Sequence, residues 1–209
     1  MDIHGVTSMR CRLRGKFIEI EIDMESFEPE PFPGRFPILF LVAGHEVGGY
    51  PDEGWLGDLY ALFQDLLLCT RDLLKYPESC FNKRKNAEND GFDLLPDSYV
   101  CGPILDLDFN TYYLERKGEL LRFHFINEAP RYISSKNPLQ GTIELLFEAF
   151  VADILKISEE YLEKCFPIEM EIKATQYDGF AEEISRLRRY LENLIQEIKT
   201  ELDLSIALY

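Results

Sequence analysis

Between positions 104 and 126 this chain gathers its most chemically suggestive residues: Asp106, Asp108, Asn110 and Tyr112, then Arg122 and His124. Carboxylates set beside an imidazole raise its pKa, and such a group in a concave setting can act as a small acid/base or binding site. Asp106, Asp108 and His124 offer oxygen and nitrogen ligands to a divalent ion. A mixed carboxylate and imidazole site needs a further ligand, however, and the sequence places none, so no metal and no cofactor is expected. The plainer reading of the same residues is the solvated face of an antiparallel sheet.

A hairpin over 104–126 would position this group. Leu105, Leu107 and Phe109 alternate with Asp106, Asp108 and Asn110, the period of a strand with one buried face. A two-residue loop at Lys117-Gly118 mixes polar and apolar side chains on both faces. A three-residue loop, Arg116-Lys117-Gly118 with Gly118 left-handed, pairs Phe109 with Phe125, Thr111 with Phe123 and Tyr113 with Leu121. That register turns Asp106, Asp108, Asn110 and Tyr112 outward with Arg122 and His124, and sets Asn110 beside His124.

Other chemistry finds little support. His4, His45 and His124 are far apart and there is no Gly-x-Ser-x-Gly elbow, so no catalytic residue can be named. Gly44-His45-Glu46-Val47-Gly48-Gly49 matches neither nucleotide-binding glycine pattern, and the acidic Asp52, Glu53 and Asp58 that follow would repel a phosphate; it reads as a flexible turn. No second histidine stands four residues after His45, as a two-histidine zinc motif requires. The five cysteines, Cys11, Cys69, Cys80, Cys101 and Cys165, are odd in number and have no Cys-x-x-Cys spacing. They suit reduced thiols, each a small core or loop residue.

The 209 residues are 46% hydrophobic and 13% aromatic, enough for one well-buried core, and a single domain over 1–209 is expected. Lys and Arg total 22 against 38 Asp and Glu, a formal net charge of −16. Such a field repels nucleic acid and anionic membrane and steers basic partners inward. The N-terminus lacks an apolar signal core and no apolar run reaches the roughly 18 residues of a membrane span, so a cytoplasmic protein is expected.

Along the chain, Arg10, Arg12, Arg14 and Lys16 lead through Gly15 into Phe17-Ile-Glu-Ile-Glu-Ile-Asp23, read as one charged edge strand bent or bulged at Gly15, with Glu19 and Glu21 facing water. The four prolines between Phe27 and Pro37 make an extended connection. Ile38 to Ala43 reads as a strand covered on both faces. Asp52 is a candidate cap for an apolar helix running from Trp55 to Leu74. Residues 77–102 read as a long loop, mobile or used for contacts.

After the hairpin, Asn137-Pro138, with Thr142 as rival cap, predicts a second core helix through Leu162. Ile168, Met170 and Ile172 suggest a further strand. Phe180, Ile184, Leu187, Leu191, Leu194 and Ile198 form a narrow helical stripe, which would pack on the helix at 139–164 or join two copies as a homodimer through 180–198, with Glu182 and Arg186 paired on its surface. The fold class is therefore α+β: a mostly antiparallel sheet around the hairpin, packed against two or three amphipathic helices.

The hairpin Leu-Asp-Phe-Asn-Thr-Tyr-Tyr-Leu-Glu-Arg-Lys-Gly-Glu-Leu-Leu-Arg-Phe-His-Phe, followed by an acidic amphipathic helix, resembles small acidic bacterial immunity-type proteins that neutralise a cognate toxin. The resemblance spans about a quarter of the chain and carries over no functional residues. With a net charge of −16 and no assembled catalytic chemistry, the first expectation is a non-enzymatic binding protein, such as an immunity protein or inhibitor, that sets acidic residues including Glu19, Glu21, Asp106 and Asp108 against a basic partner. Two further expectations are a hydrolase or metal-dependent enzyme centred on Asp106, Asp108, Asn110 and His124, and a homodimeric scaffold.

Overall fold

The computed structural model describes residues 10–25, 35–48, 56–75, 99–103, 110–127, 140–176 and 179–207. Among them nine strands form two antiparallel sheets and four helices complete an α+β fold. In the first sheet β1 (Arg10–Arg14), β2 (Ile18–Asp23), β3 (Arg35–Val42) and β4 (His45–Gly48) are neighbours in that order, and β5 (Leu56–Asp58) pairs with the start of β3. In the second, β6 (Tyr99–Pro103), β7 (Asn110–Lys117), β8 (Leu120–Asn127) and β9 (Gln140–Leu146) follow in order. The helices are α1 (Leu59–Lys75), α2 (Phe147–Lys164), α3 (Phe166–Gln176) and α4 (Phe180–Ala207).

The charged N-terminal segment is two strands rather than one. It folds back at Gly15, pairing Arg12 with Glu21 and Arg14 with Glu19, so that its basic half lies against its acidic half. Ile18, Ile20 and Ile22 are buried at alternate positions, as their period requires. β2 is therefore an interior strand, and β1 takes the edge. The turn is held from outside: Asp153 of α2 accepts hydrogen bonds from the backbone amides of Lys16 (2.7 Å), Phe17 (2.5 Å) and Ile18 (3.0 Å). Gly15 is what lets the carboxylate in, since a Cβ there would stand 2.3 Å from Asp153 Cγ.

β3 lies inside its sheet, between β2 and β4, but the run expected to be covered on both faces alternates, with Ile38, Phe40 and Val42 buried and Leu39 and Leu41 half-buried. The chain leaves it through Ala43 and Gly44, both at positive φ (48° and 77°), and returns at once as β4. The segment from Gly44 is thus half of a tight hairpin. α1 starts at Leu59, later than expected, where Asp58 Oδ1 accepts from the Ala61 amide at 3.1 Å. Asp52 lies outside the described residues, as do 77–98 of the expected loop, whose end is strand β6.

The central hairpin has a different register. Its loop is two residues, Gly118-Glu119, with Gly118 at φ 59° in the first central position, as a type II′ hairpin uses. Tyr112 pairs with Phe125, Leu114 with Phe123 and Arg116 with Leu121. The inward face of β8 is the expected one, but β7 is turned over: Tyr112 and Leu114 are fully buried. This register admits a cation on the inward face because Arg116 stacks 3.9 Å over the Phe147 ring and donates to the Leu73 carbonyl at 2.9 Å. Phe109 and the rest of 104–109 lie outside the described residues.

Tyr112 is where the sheets meet. Its ring lies 5.7 Å from that of Phe40 on β3 and 5.4 Å from that of Phe123, while Phe40 and Phe123 meet edge to face at 5.9 Å.

Residues 140–146, expected as the first turns of a helix, add instead to the edge of β8, from Ile126↔Gln140 to Leu120↔Leu146. Ile143 with Leu146 fits a helical step and Ile143 with Leu145 the alternation of a strand; an open row of backbone donors and acceptors decides for strand, which buries Leu145 and leaves Leu146 exposed. The helix begins only at Phe147, whose amide is satisfied by the Glu119 carbonyl at 2.8 Å. The strand expected at 168–172 is helix α3, because the buried positions are Phe166, Glu169, Met170 and Lys173, a helical spacing. The narrow stripe of α4 packs mainly on α1, with Leu191, Leu194 and Ile198 buried within this chain. On its surface Arg186 pairs with Glu183 rather than Glu182.

Two substitutions test this arrangement. Tyr112→Ala empties the joint between the sheets and is expected to cost about 3 kcal/mol or more in chemical denaturation. Asp153→Ala strands three amide donors. It is expected to cost about 3 kcal/mol by the same measurement, with the loss reduced when Gly15→Ala has already pushed the carboxylate aside.

Candidate functional site

The outward face of the second sheet carries the polar group closest to the one expected. Because β7 is turned over, Glu115 comes up in place of Tyr112, opposite Arg122, with Thr142 and Glu144 supplied by β9. Arg122 Nε donates to Glu144 Oε1 at 2.8 Å, and its Nη1 lies 3.5 Å from Glu115 Oε2. Lys117 Nζ is 3.0 Å from Glu115 Oε1. His124 Nδ1 and Thr142 Oγ1 share a hydrogen bond of 2.8 Å, and His124 Nε2 lies 3.6 Å from Glu115 Oε2.

Electrostatics in this cluster run against the expectation for the imidazole. Burial lowers the His124 pKa and outweighs the opposing pull of Glu115, with Arg122 and Lys117 adding to the depression. At neutral pH the ring is uncharged. Burial also pushes the Glu115 carboxyl upward, but Lys117, Arg122 and His124 together bring it below its ordinary range. The cluster is a set of cross-strand ion pairs around a neutral histidine.

The remaining candidates are dispersed. Asn110 opens β7 opposite Asn127, while His124 pairs with Tyr113 and Thr142, so the two do not stand side by side. Tyr112 is in the core. Asp106 and Asp108 lie outside the described residues. Glu19 bridges Arg12 (2.7 Å) and Arg14 (2.8 Å), and Glu21 pairs with Arg12. Among the described residues no group of three or more His, Cys, Asp or Glu side chains is placed to hold a metal ion, and no helix is long and apolar enough to cross a membrane.

A second polar cluster lies inside the protein, where sequence reasoning does not look for one. Glu169 of α3 is fully buried and accepts from Tyr161 Oη (2.5 Å), from Lys173 Nζ (2.8 Å) and from the Tyr60 amide (3.2 Å). Lys173 Nζ also reaches Asp58 Oδ2 at 2.7 Å. The network joins the start of α1 to α2 and α3. Its one sequence signal is Glu169 and Lys173 at i and i+4, in the favourable order for a helix. Burial raises the Glu169 pKa to about 7 against the pull of Lys173, and burial and the adjacent Glu169 raise Tyr161 well above its ordinary value. Glu169 therefore exchanges a proton near neutrality while its oxygens remain engaged by the fold.

The chain matches no protein-family model, no curated protein and no solved structure.

The sign of the Glu169 effect follows from its proton count. Between its ordinary value of 4.5 and about 7 the folded protein holds a proton that the unfolded chain has released, so this contribution is full below 4.5 and is lost as pH rises through 7. Glu169→Gln is expected to remove that component. The difference in unfolding free energy between wild type and variant should change by on the order of 3 kcal/mol between acid and mildly alkaline buffers, measured by denaturant titration across pH.

Proposed function

We propose that this chain is an acidic, non-enzymatic binding protein of the cytoplasm that holds a basic protein partner, in the manner of an immunity protein that neutralises a toxin. The observation that carries the reading is the net charge of −16, from 38 acidic residues against 22 basic ones. A field of that size accelerates encounter with an oppositely charged surface and disfavours nucleic acid. Glu19 and Glu21 already pair with Arg12 and Arg14 of the adjacent strand, which leaves them less charge to offer a partner. The exposed carboxylates of Glu148 and Glu163 on α2, Glu171 on α3 and Glu182 on α4 stand outside the ion pairs described above and are the better contacts.

The test uses the full chain, immobilised, with lysate of the cells it comes from. A basic protein is expected to be retained at about 0.05 M salt and largely released at about 0.5 M. Lys replacements of Glu148, Glu163, Glu171 and Glu182 together should slow association by roughly tenfold or more at low salt. The immunity reading further expects the captured protein to be toxic when produced alone and harmless when co-produced. Retention indifferent to salt and to the replacements, or capture of no basic protein, would overturn the proposal.

A further inference from the structure

Cys11 on the edge strand β1 and Cys165, the residue that ends α2, are separated by 154 positions in sequence, yet their Sγ atoms lie 2.6 Å apart. Non-bonded sulfurs do not normally rest so close, and a disulfide of about 2 Å is a small motion away. Cys11 is half-buried and Cys165 is buried, so one thiol of the pair can be reached from solvent and the other is screened. Cys69, also buried, is on α1 and has no such partner among the described residues.

We propose that Cys11 and Cys165 are a redox-responsive pair, which a hydroperoxide converts reversibly to a disulfide that clamps the β1–β2 hairpin to the end of α2. In the first step the Cys11 thiolate attacks a peroxide oxygen. The O–O bond breaks, and Cys11 becomes a sulfenic acid as hydroxide or alkoxide leaves and is protonated. In the second, the Cys165 sulfur attacks the Cys11 sulfur and displaces its hydroxyl, which departs as water with the Cys165 proton. Two thiol protons and two electrons are thereby passed to the peroxide, and a dithiol reductant reverses the change. The surroundings make Cys11 the first to react: the hydrogen bond with Cys165 and the nearby Lys164 lower its pKa against its burial, whereas the contact with Cys11 and burial raise that of Cys165, which keeps its proton until the sulfenic hydroxyl can take it.

Asp153 holds the turn of this hairpin against α2, and the clamp ties the far end of β1 to the end of the same helix, so it reinforces a packing that the reduced protein has. It joins residues 154 positions apart, which restricts the unfolded chain strongly.

The experiment treats the full chain with an equimolar amount of hydrogen peroxide, blocks free thiols with an alkylating reagent, and analyses the digest by mass spectrometry without reduction. A Cys11–Cys165 cross-linked peptide is expected, lost on adding dithiothreitol. The oxidised protein should melt roughly 5–15 °C above the reduced one. Cys11→Ser, a change at the half-buried position, should fold normally and show no oxidant-dependent shift. Recovery of Cys11 and Cys165 both alkylated after peroxide, their conversion to sulfinic acid without cross-linking, or a disulfide joining either of them to Cys69, Cys80 or Cys101 would overturn the assignment.

Discussion

A carboxylate removed from water must be met by donors, and the meeting of Asp153 with the amides of Lys16, Phe17 and Ile18 is the contact on which the layers of this fold depend. It sets where the first hairpin sits on α2. Apolar burial is non-directional and could not do this alone, whereas three convergent amides define a single place for the carboxylate. Glu169 repeats the device with a phenol, an ammonium and an amide, and places α3 and the start of α1 against α2. Around these two points the aromatic core supplies much of the burial, from Phe63 stacked on Tyr161 at 4.2 Å to the group of Phe40, Tyr112 and Phe123.

The acidic residues thereby divide into distinct roles. Asp153 and Glu169 are buried between elements, Glu115 is buried beneath its neighbours on the outward sheet face, and all three are compensated locally. Glu19 and Glu21 lie against arginines of the adjacent strand, where exposure of the arginines limits what each pair contributes to stability. A binding role rests on the excess of acids that these pairings do not cancel. Net charge is indifferent to which strand or helix bears each group, so this part of the functional reading survives the change of hairpin register. A site at Asp106, Asp108, Asn110 and His124 depends on register throughout.

Register is also where reading from residues alone runs out. The inward face of β8 is legible, since Leu121, Phe123 and Phe125 alternate with polar neighbours. That of β7 is not, because Thr111 and Tyr113 look as suited to a core as Tyr112 and Leu114 once Arg116 is assumed to face water. The Phe147 ring offers that guanidinium a partner only when α2 is folded against the sheet. The local clue to the true pairing is the opposition of Glu115 and Arg122. For the candidate site the consequence is that Arg122 and His124 share a face as expected, but with Glu115 and Thr142 rather than with Asn110 and Tyr112.

By itself the amino-acid sequence determines the acidic charge, the α+β class, the alternation in β2 and the helical stripes of α1, α2 and α4, because each of these is a local period or a sum over residues. Tertiary structure alone decides that 140–146 is strand, that 166–176 is helix, and that α4 lies mainly on α1. It also decides which buried acids meet which donors. These outcomes turn on an open strand edge, a buried lysine and a cleft beside Gly15, and each of those exists only after distant parts of the chain have come together.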